Sequence, residues 1–445
     1  MTPPTPLTVD VGRLLDEGNW SRYQKVVVSL TALAIIFDGV DNQLLGLAIP
    51  SMMREWSLPR AAFANVAAVG FLGMIIGSTV GGIIGDRFGR RVALIGSMLT
   101  FGALTLVIST VNSIGALALV RFLVGLGLGG AMPNATALSS EFVPRRFRPF
   151  AVTLTIVCIP LGGTVAGLFT QRALPALGWR GLFMVGGLVP FAVAFLLMIW
   201  LPESPRFLAR HPARWTTLVR ILQRAGCDIA PSSAFIDTHE QTVARVSVRT
   251  LLNAEFRFDT LALWCAFFSC LLAVYLGFTW VPSMLAGAGL PSLAATGLTV
   301  FNLGGVFGAV VGSLVITRLG SKGTMLTMTA GAIAGALVMR SMVITSSSPV
   351  LPIIIMLAIT GGLINAVQTT MFALAAHVYP TDVRSTGVGV ASAIGRSGAI
   401  LSTYAGAWAL DAGGSSAFFA LVASAMCLCA MSLAVITRHI PCAPR

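Results

Sequence analysis

The sequence predicts an all-α integral membrane protein, with twelve transmembrane helices in two six-helix, pseudo-symmetric bundles. Three observations carry this. The 445 residues are 56% hydrophobic and only 10% charged, with a mean hydropathy of +0.87, whereas soluble domains carry about 25% charged residues. Predominantly apolar runs long enough to cross a bilayer recur at 26–50, 62–84, 92–111, 115–140, 148–172, 180–201, 260–287, 293–317, 322–345, 350–377, 385–410 and 415–437. The polar stretch 202–259 then divides these runs six and six.

The net charge of +13 falls on alternate connections rather than on one face of a domain. Arg13, Arg22, Lys25, Arg87, Arg90, Arg91, Arg145, Arg146, Arg148, the arginines from Arg206 to Arg257, Arg318, Lys322, Arg384, Arg438 and Arg445 share one side. The other side holds Arg54, Arg60, Arg172 and Arg180, and Arg121, Arg340 and Arg396 fall within runs. By the positive-inside rule the crowded side is cytoplasmic. The expected organisation is therefore a cytoplasmic segment 1–25, a bundle 26–201, a cytoplasmic linker 202–259 with short surface helices, a bundle 260–437 and a cytoplasmic tail 438–445. The expected location is the cell's inner membrane, and the basic charge implies no nucleic-acid partner. The first run is too long for a signal-peptide core and is retained. The cysteines show neither metal-ligand nor disulfide spacing, and no metal or cofactor is expected.

The halves echo each other. GGIIGDRFGRR from Gly81 to Arg91 parallels GSLVITRLGSK from Gly312 to Lys322, and EFVPRRFR from Glu141 to Arg148 parallels HVYPTDVR from His377 to Arg384, at nearly the same offset. Equivalent loops on the same side are what parallel repeats about an axis along the membrane normal produce.

Asp38 and Asp41 lie near the middle of the first run. A carboxylate at that depth is costly, about 2.5–3.5 kcal/mol on insertion scales, so acids there usually face a protein interior or a water cavity and serve protons, ions or substrate. Three residues apart, the two share a helix face and cannot both ionise cheaply, a property suited to proton coupling; the alternative is a cap or hydrogen bond to a neighbouring helix. Asn42 and Gln43 extend the polar patch, and Gly39 permits close backbone approach. Arg396, flanked by Gly395, Ser397 and Gly398 near the centre of the eleventh run, can grip a carboxylate with two parallel hydrogen bonds. It either receives a substrate carboxylate or pairs with a first-run aspartate, and in a symport cycle it alternates between the two. Asn302, Asn365 and Gln368 are midmembrane donors and acceptors that can read a substrate hydroxyl or simply join helices. Phe37, Tyr275 and Phe301 can stack on a ring or merely pack.

The loop Gly82-x-x-x-Asp86-Arg87-x-Gly89-Arg90-Arg91 resembles the signature between helices 2 and 3 of the major facilitator superfamily. Arg121-Phe-Leu-Val-Gly125-Leu-Gly127-Leu-Gly129-Gly130, Pro202-Glu203-Ser204-Pro205-Arg206 and Tyr379-Pro380-x-x-x-Arg384-x-x-Gly387 resemble further superfamily segments, so the resemblance spans nearly the whole chain. Asp38-Gly-x-Asp41 together with Gly395-Arg396-x-Gly398 resembles the aromatic acid:proton symporters. This implies a secondary active transporter that imports a small organic carboxylate of aromatic type with protons by alternating access, acting as a monomer in the lipid bilayer. Taken with the reading of the residues, it gives proton coupling for Asp38, Asp41 and Arg121, substrate contacts for Arg396, Asn42, Asn302, Asn365 and Gln368, and gating for Gly82, Asp86, Arg87, Gly89, Arg90 and Arg91. Snorkelling is the plainer account of Arg121. In the gate, Asp86 is expected to accept from a facing helix N-terminus, and the arginines to pair across the halves when the inside is closed.

Competing readings are a carrier of aliphatic acids or sugars, a drug antiporter and a membrane sensor. A neutral sugar needs no buried cation such as Arg396. Ile159-Pro160-Leu161-Gly162-Gly163 keeps only a remnant of the antiporter element, and a sensor usually adds a signalling domain. An enzyme needs a nucleophile, metal or cofactor cluster, whereas the histidines at 211, 239, 377 and 439 are scattered.

Overall fold

Glycine decides where the longest helices turn. In the computed structural model, which describes residues 8–227, 229, 234–237, 248–253 and 256–442, ten helices are long and apolar enough to cross a membrane. They are α2 (Arg22–Trp56), α3 (Arg60–Phe88), α4 (Arg90–Ile108), α5 (Ile114–Phe142), α6 (Arg148–Trp200), α9 (Arg257–Gly287), α10 (Ala294–Leu319), α11 (Ser321–Ser341), α12 (Val350–Val378) and α13 (Thr381–Val435). Two of these are pairs. Gly178, at φ 66°, breaks α6, and Gly413 with Gly414, the latter at φ 58°, breaks α13. Left-handed backbone of this kind is open to glycine at little steric cost. Divided at these breaks, the ten helices fit the twelve-segment fold that the sequence predicts.

The first helix starts cleanly. Ser21 and Gln24 form a capping box, the Ser21 N–H donating to Gln24 Oε1 at 2.7 Å, which satisfies donors the helix itself leaves open. Packing inside each half relies on small residues, since lipid gives helices no hydrophobic reason to associate. A Cβ on Gly73, Gly77 or Gly81 of α3 would strike the α5 backbone, and one on Gly304 or Gly308 of α10 would strike the α12 backbone. The two halves therefore repeat the same close helix pair. Gly77→Val is expected to force α3 off α5 at a cost of about 1–3 kcal/mol, read as a lower melting midpoint in detergent. Gly96→Ala, which meets nothing within 4 Å, should leave the midpoint unchanged.

The repeat extends to the loops. Gly89 (φ 110°) and Gly320 (φ 76°) occupy equivalent turns, and each is covered by the chain that follows its half. Glu203 lies against Gly89 and accepts from the Arg91 N–H at 3.0 Å. The segment after α13 lies against Gly320, with the Ser321 N–H donating to the Ile440 carbonyl at 2.9 Å.

The polar stretch between the halves is more structured than a plain linker. It holds α7 (Pro205–Ala209) and α8 (Trp215–Arg224), the latter with Leu218, Val219, Ile221 and Leu222 buried on one side. Its short strand β2 (Ala234–Ile236) pairs in parallel with β1 (Thr8–Asp10) near the start of the chain, Thr8 opposite Ala234 and Asp10 opposite Ile236. Helix α1 (Val11–Glu17) follows β1, and its Asp16 binds Arg148 and, at 3.6 Å, Arg206. Three-residue strands carry no readable periodicity, so no pattern in the sequence marks this pairing. Residues 238–247 and 254–255 of the stretch, with His239, Glu240 and Glu255, lie outside the described residues, as do 1–7 and 443–445 with Arg445.

Candidate functional site

Both first-helix aspartates are buried, Asp38 at 3% exposure and Asp41 at 0%, yet their surroundings differ. Arg121 of α5 donates from Nη1 to Asp41 Oδ2 at 2.9 Å and from Nη2 to the Asp41 carbonyl at 3.2 Å. Thr105 of α4 donates to Asp41 Oδ1 at 2.5 Å. The Arg121 side chain is 6% exposed, so it is committed inside the protein instead of snorkelling. Asp41 is thus neutralised and saturated. Asp38 Oδ1, by contrast, is buried with no hydrogen-bond partner, and the charges that act on Asp38 are those of Asp41, Arg396 and Arg121. Gly39 between them does let a neighbour approach, because a Cβ there would meet the Ile159 carbonyl oxygen of α6 at 2.5 Å.

Arg396 forms no ion pair with either aspartate among the described residues. It reaches across to the other half, where Nη1 donates to the Met74 carbonyl of α3 at 3.0 Å, and its remaining donors have no hydrogen-bond partner among the described residues. Gly395 and Gly398 bring this part of α13 against the backbone of α9, with Cβ positions 3.3 Å from the Phe267 oxygen and 3.0 Å from the Phe268 carbonyl carbon. The guanidinium heads a cavity of about 650 Å³ between the halves. Met132, Pro133, Ile156, Phe372 and Val388 give it apolar walls, and Ser78, Thr79, Thr136 and Ser392 add hydroxyls. These come from the parts of α3, α5, α6, α12 and α13 nearest the termini, so the space lies on that side of Arg396.

On the opposite side the halves meet. Gln43 and Asn302 exchange amide hydrogen bonds at 3.1 and 2.7 Å, a Cβ on Gly46 would lie 2.8 Å from the Phe278 oxygen, and Arg60 pairs with Asp411 at 2.6 Å. The central cavity is therefore approached from the end that carries the termini.

The remaining predicted residues scatter. Asn42 lies within reach of the Tyr275 hydroxyl, and Tyr275 packs edge-on against Phe71 with centroids 4.8 Å apart. Asn302 is held by Gln43. Asn365 donates to the Gly361 carbonyl at 2.8 Å and fills the space beside Gly305, and Gln368 stands half-buried a turn along α12. Neither asparagine nor Gln368 lines the central cavity. In the α3–α4 loop Asp86, expected on a facing helix N-terminus, pairs instead with Arg90 at 2.5 Å. Arg90 also lies 3.8 Å from Glu141, and Arg91 donates to the Met198 carbonyl. Arg87 lies over the Phe88 ring, and a Cβ on Gly82 would meet nothing within 4 Å. Among the described residues this loop's partners lie in the first half and at Glu203 just after it, none in the second half, as suits an unlatched terminal face. Sequence reasoning missed Thr105, Asn134 and Glu141. Asn134 donates to the Gly81 and Gly130 carbonyls at 2.9 and 2.8 Å, and its one signal was a polar residue in a glycine-rich run.

Comparison with known proteins agrees with this architecture. The family profile described as Major Facilitator Superfamily matches residues 31–403, and the chain belongs to that superfamily. It is a multi-pass membrane transporter rather than an enzyme. Among its relatives, a 4-hydroxybenzoate transporter of Pseudomonas putida is 35% identical over 91% of this chain and 90% of its own. A gallate transporter of the same species is 33% identical over 93% of this chain and 91% of its own. Among solved structures, the xylose transporter of E. coli in a partially occluded inward open conformation superposes with a TM-score of 0.73 at 15% identity, covering 92% of this chain and 97% of the other. At that identity the likeness shows the fold alone.

Proposed function

We propose that the protein imports a small aromatic carboxylate into the cell together with a proton, by alternating access across the inner membrane, with both termini in the cytoplasm. The observation that carries this is Arg396, a guanidinium with uncommitted donors at the head of a largely apolar cavity beside a buried, unpartnered Asp38 oxygen. Arg396 takes the carboxylate in its fork, and the Met132, Ile156, Phe372 and Val388 walls take the ring. The relatives named for 4-hydroxybenzoate and gallate support that chemical class.

Coupling follows from charge. Asp41 is held by Arg121 and Thr105, so Asp38 is the acid left to carry the proton, with Asp41 and Arg121 as a fixed pair beside it. A buried charged carboxylate lacking a hydrogen-bond partner is costly, and protonation removes that cost as the substrate anion occupies Arg396. Asn42, within reach of the Tyr275 hydroxyl, stands outside the cavity whose walls take the ring. Asn302 with Gln43 ties α10 to α2 near it, and the Asn365 side chain packs α12 beside Gly305 of α10. The bundles 26–201 and 260–437 rock against each other in a monomer, joined by 202–259. The loop bearing Gly82, Asp86, Arg87, Gly89, Arg90 and Arg91 engages the second half when the cytoplasmic face closes.

The test is uptake into proteoliposomes under an imposed inward proton gradient, using labelled 4-hydroxybenzoate, gallate, an aliphatic monocarboxylate and xylose. Accumulation of the aromatic acids that collapses with a protonophore is expected. Uptake driven by sodium, or accumulation of xylose without the acids, would remove the proposal.

A further inference from the structure

The face opposite the termini carries an uneven charge. Five arginines lie there (Arg54, Arg60, Arg172, Arg180 and Arg340), against two acids, Glu55 and Asp411. Each acid is already engaged. Glu55 accepts from Arg180 and from Trp179, both at 2.5 Å, within one half. Asp411 accepts from Arg60 at 2.6 Å across the seam between halves, the ion pair that joins the halves on the outer face among the described residues.

Arg60 stands between two cavities. One, of about 320 Å³, is lined by Arg54, Arg60, Ser283 and Pro291; the other, of about 480 Å³, by Arg60, Arg340, Gly287, Ser415 and Ser416. Arg60 Nε and Ser283 Oγ are both buried without a hydrogen-bond partner, so donors remain for an anion in the seam. The existing pair is easily displaced: its side chains are 20% and 50% exposed, and ion pairs of that exposure shift an equilibrium by no more than roughly fivefold.

We propose that the cavities flanking Arg60 form an outer receiving site for a small organic carboxylate, and that the arriving carboxylate takes Arg60 from Asp411 and so releases the outer closure. The excess arginines draw the anion to this face, and the substrate itself opens the side from which it enters. The inference rests on the carboxylate reading above but concerns a site separate from Arg396.

The test places a single thiol in the seam. Ala286→Cys, on the wall of the first cavity, in a full-length chain whose seven natural cysteines are replaced by serine, is labelled from outside intact cells with a membrane-impermeant maleimide, with and without 4-hydroxybenzoate. The acid is expected to raise the labelling rate. Asp411→Asn should raise the rate without the acid by about two- to fivefold and blunt the further response. Arg340→Gln, outside the ion pair, should leave the starting rate alone and weaken the response to the acid, and Arg60→Gln should abolish that response. The response should survive in Arg396→Ala, whose lesion lies at the central site. A response lost in Arg396→Ala, or untouched by Arg60→Gln, overturns the outer site, since opening is then driven from the centre. Uptake of 4-hydroxybenzoate with no change in labelling overturns the outer site and leaves the carrier function standing; absence of both removes the two together.

Discussion

Asp38→Asn is expected to abolish accumulation of the transported acid while preserving its exchange between the two sides of the membrane. An asparagine mimics a permanently protonated aspartate, so the loaded carrier can still reorient but cannot give up its proton. Each unit of pH difference supports about a tenfold concentration ratio for one coupled proton, and the mutant's ratio should fall to unity. Asp41→Asn should behave differently. Asp41 is fully buried against an Arg121 side chain that is 6% exposed, and removing one partner of such a pair costs about 3–5 kcal/mol. Asp41→Asn is therefore expected to lower the melting midpoint strongly, whereas Asp38→Asn, which loses no hydrogen bond at Oδ1, should not. Normal accumulation by Asp38→Asn, or an unchanged midpoint for Asp41→Asn, would contradict this division of roles.

The sequence makes the two aspartates conspicuous but leaves their roles undivided. Their separation depends on Thr105 and Arg121, which lie on other helices and whose approach is set by glycines such as Gly70, where a Cβ would lie 3.1 Å from Arg121 Cγ. Hydropathy and charge placement, by contrast, are local properties of the chain, so the helices and the repeat are legible residue by residue. The equivalence of Gly89 and Gly320 could be read from spacing alone, while the chain segments that cover them, from Glu203 and from Ile440, could not. The same limit governs the amides. Asn302 reads as a candidate ligand because it is polar at membrane depth, but whether it faces a cavity or Gln43 is decided by the rotation of α10 against α2. The β1–β2 pairing, of two short segments far apart in sequence, leaves no pattern to read.

Replacing Arg396 should have the largest effect on affinity. Lysine keeps the charge but loses the planar fork, so two charge-assisted hydrogen bonds to the carboxylate become one flexible contact. A bond of that kind is worth about 1.5–3 kcal/mol, and Arg396→Lys is expected to bind the acid about tenfold to a hundredfold more weakly. Arg396→Ala should be weaker still, since the ring pocket formed by Met132, Ile156, Phe372 and Val388 remains while no cation faces the carboxylate. Calorimetry on the purified protein separates this from misfolding, because Arg396 donates only to the Met74 carbonyl among the described residues and its loss should cost little stability. The ester of the same acid supplies the internal control. It lacks the anion, should bind the parent weakly, and should lose little further affinity on Arg396→Lys. If acid and ester lose affinity equally, the guanidinium is shaping the pocket rather than reading the carboxylate, and the proton on Asp38 then has no anion to accompany it.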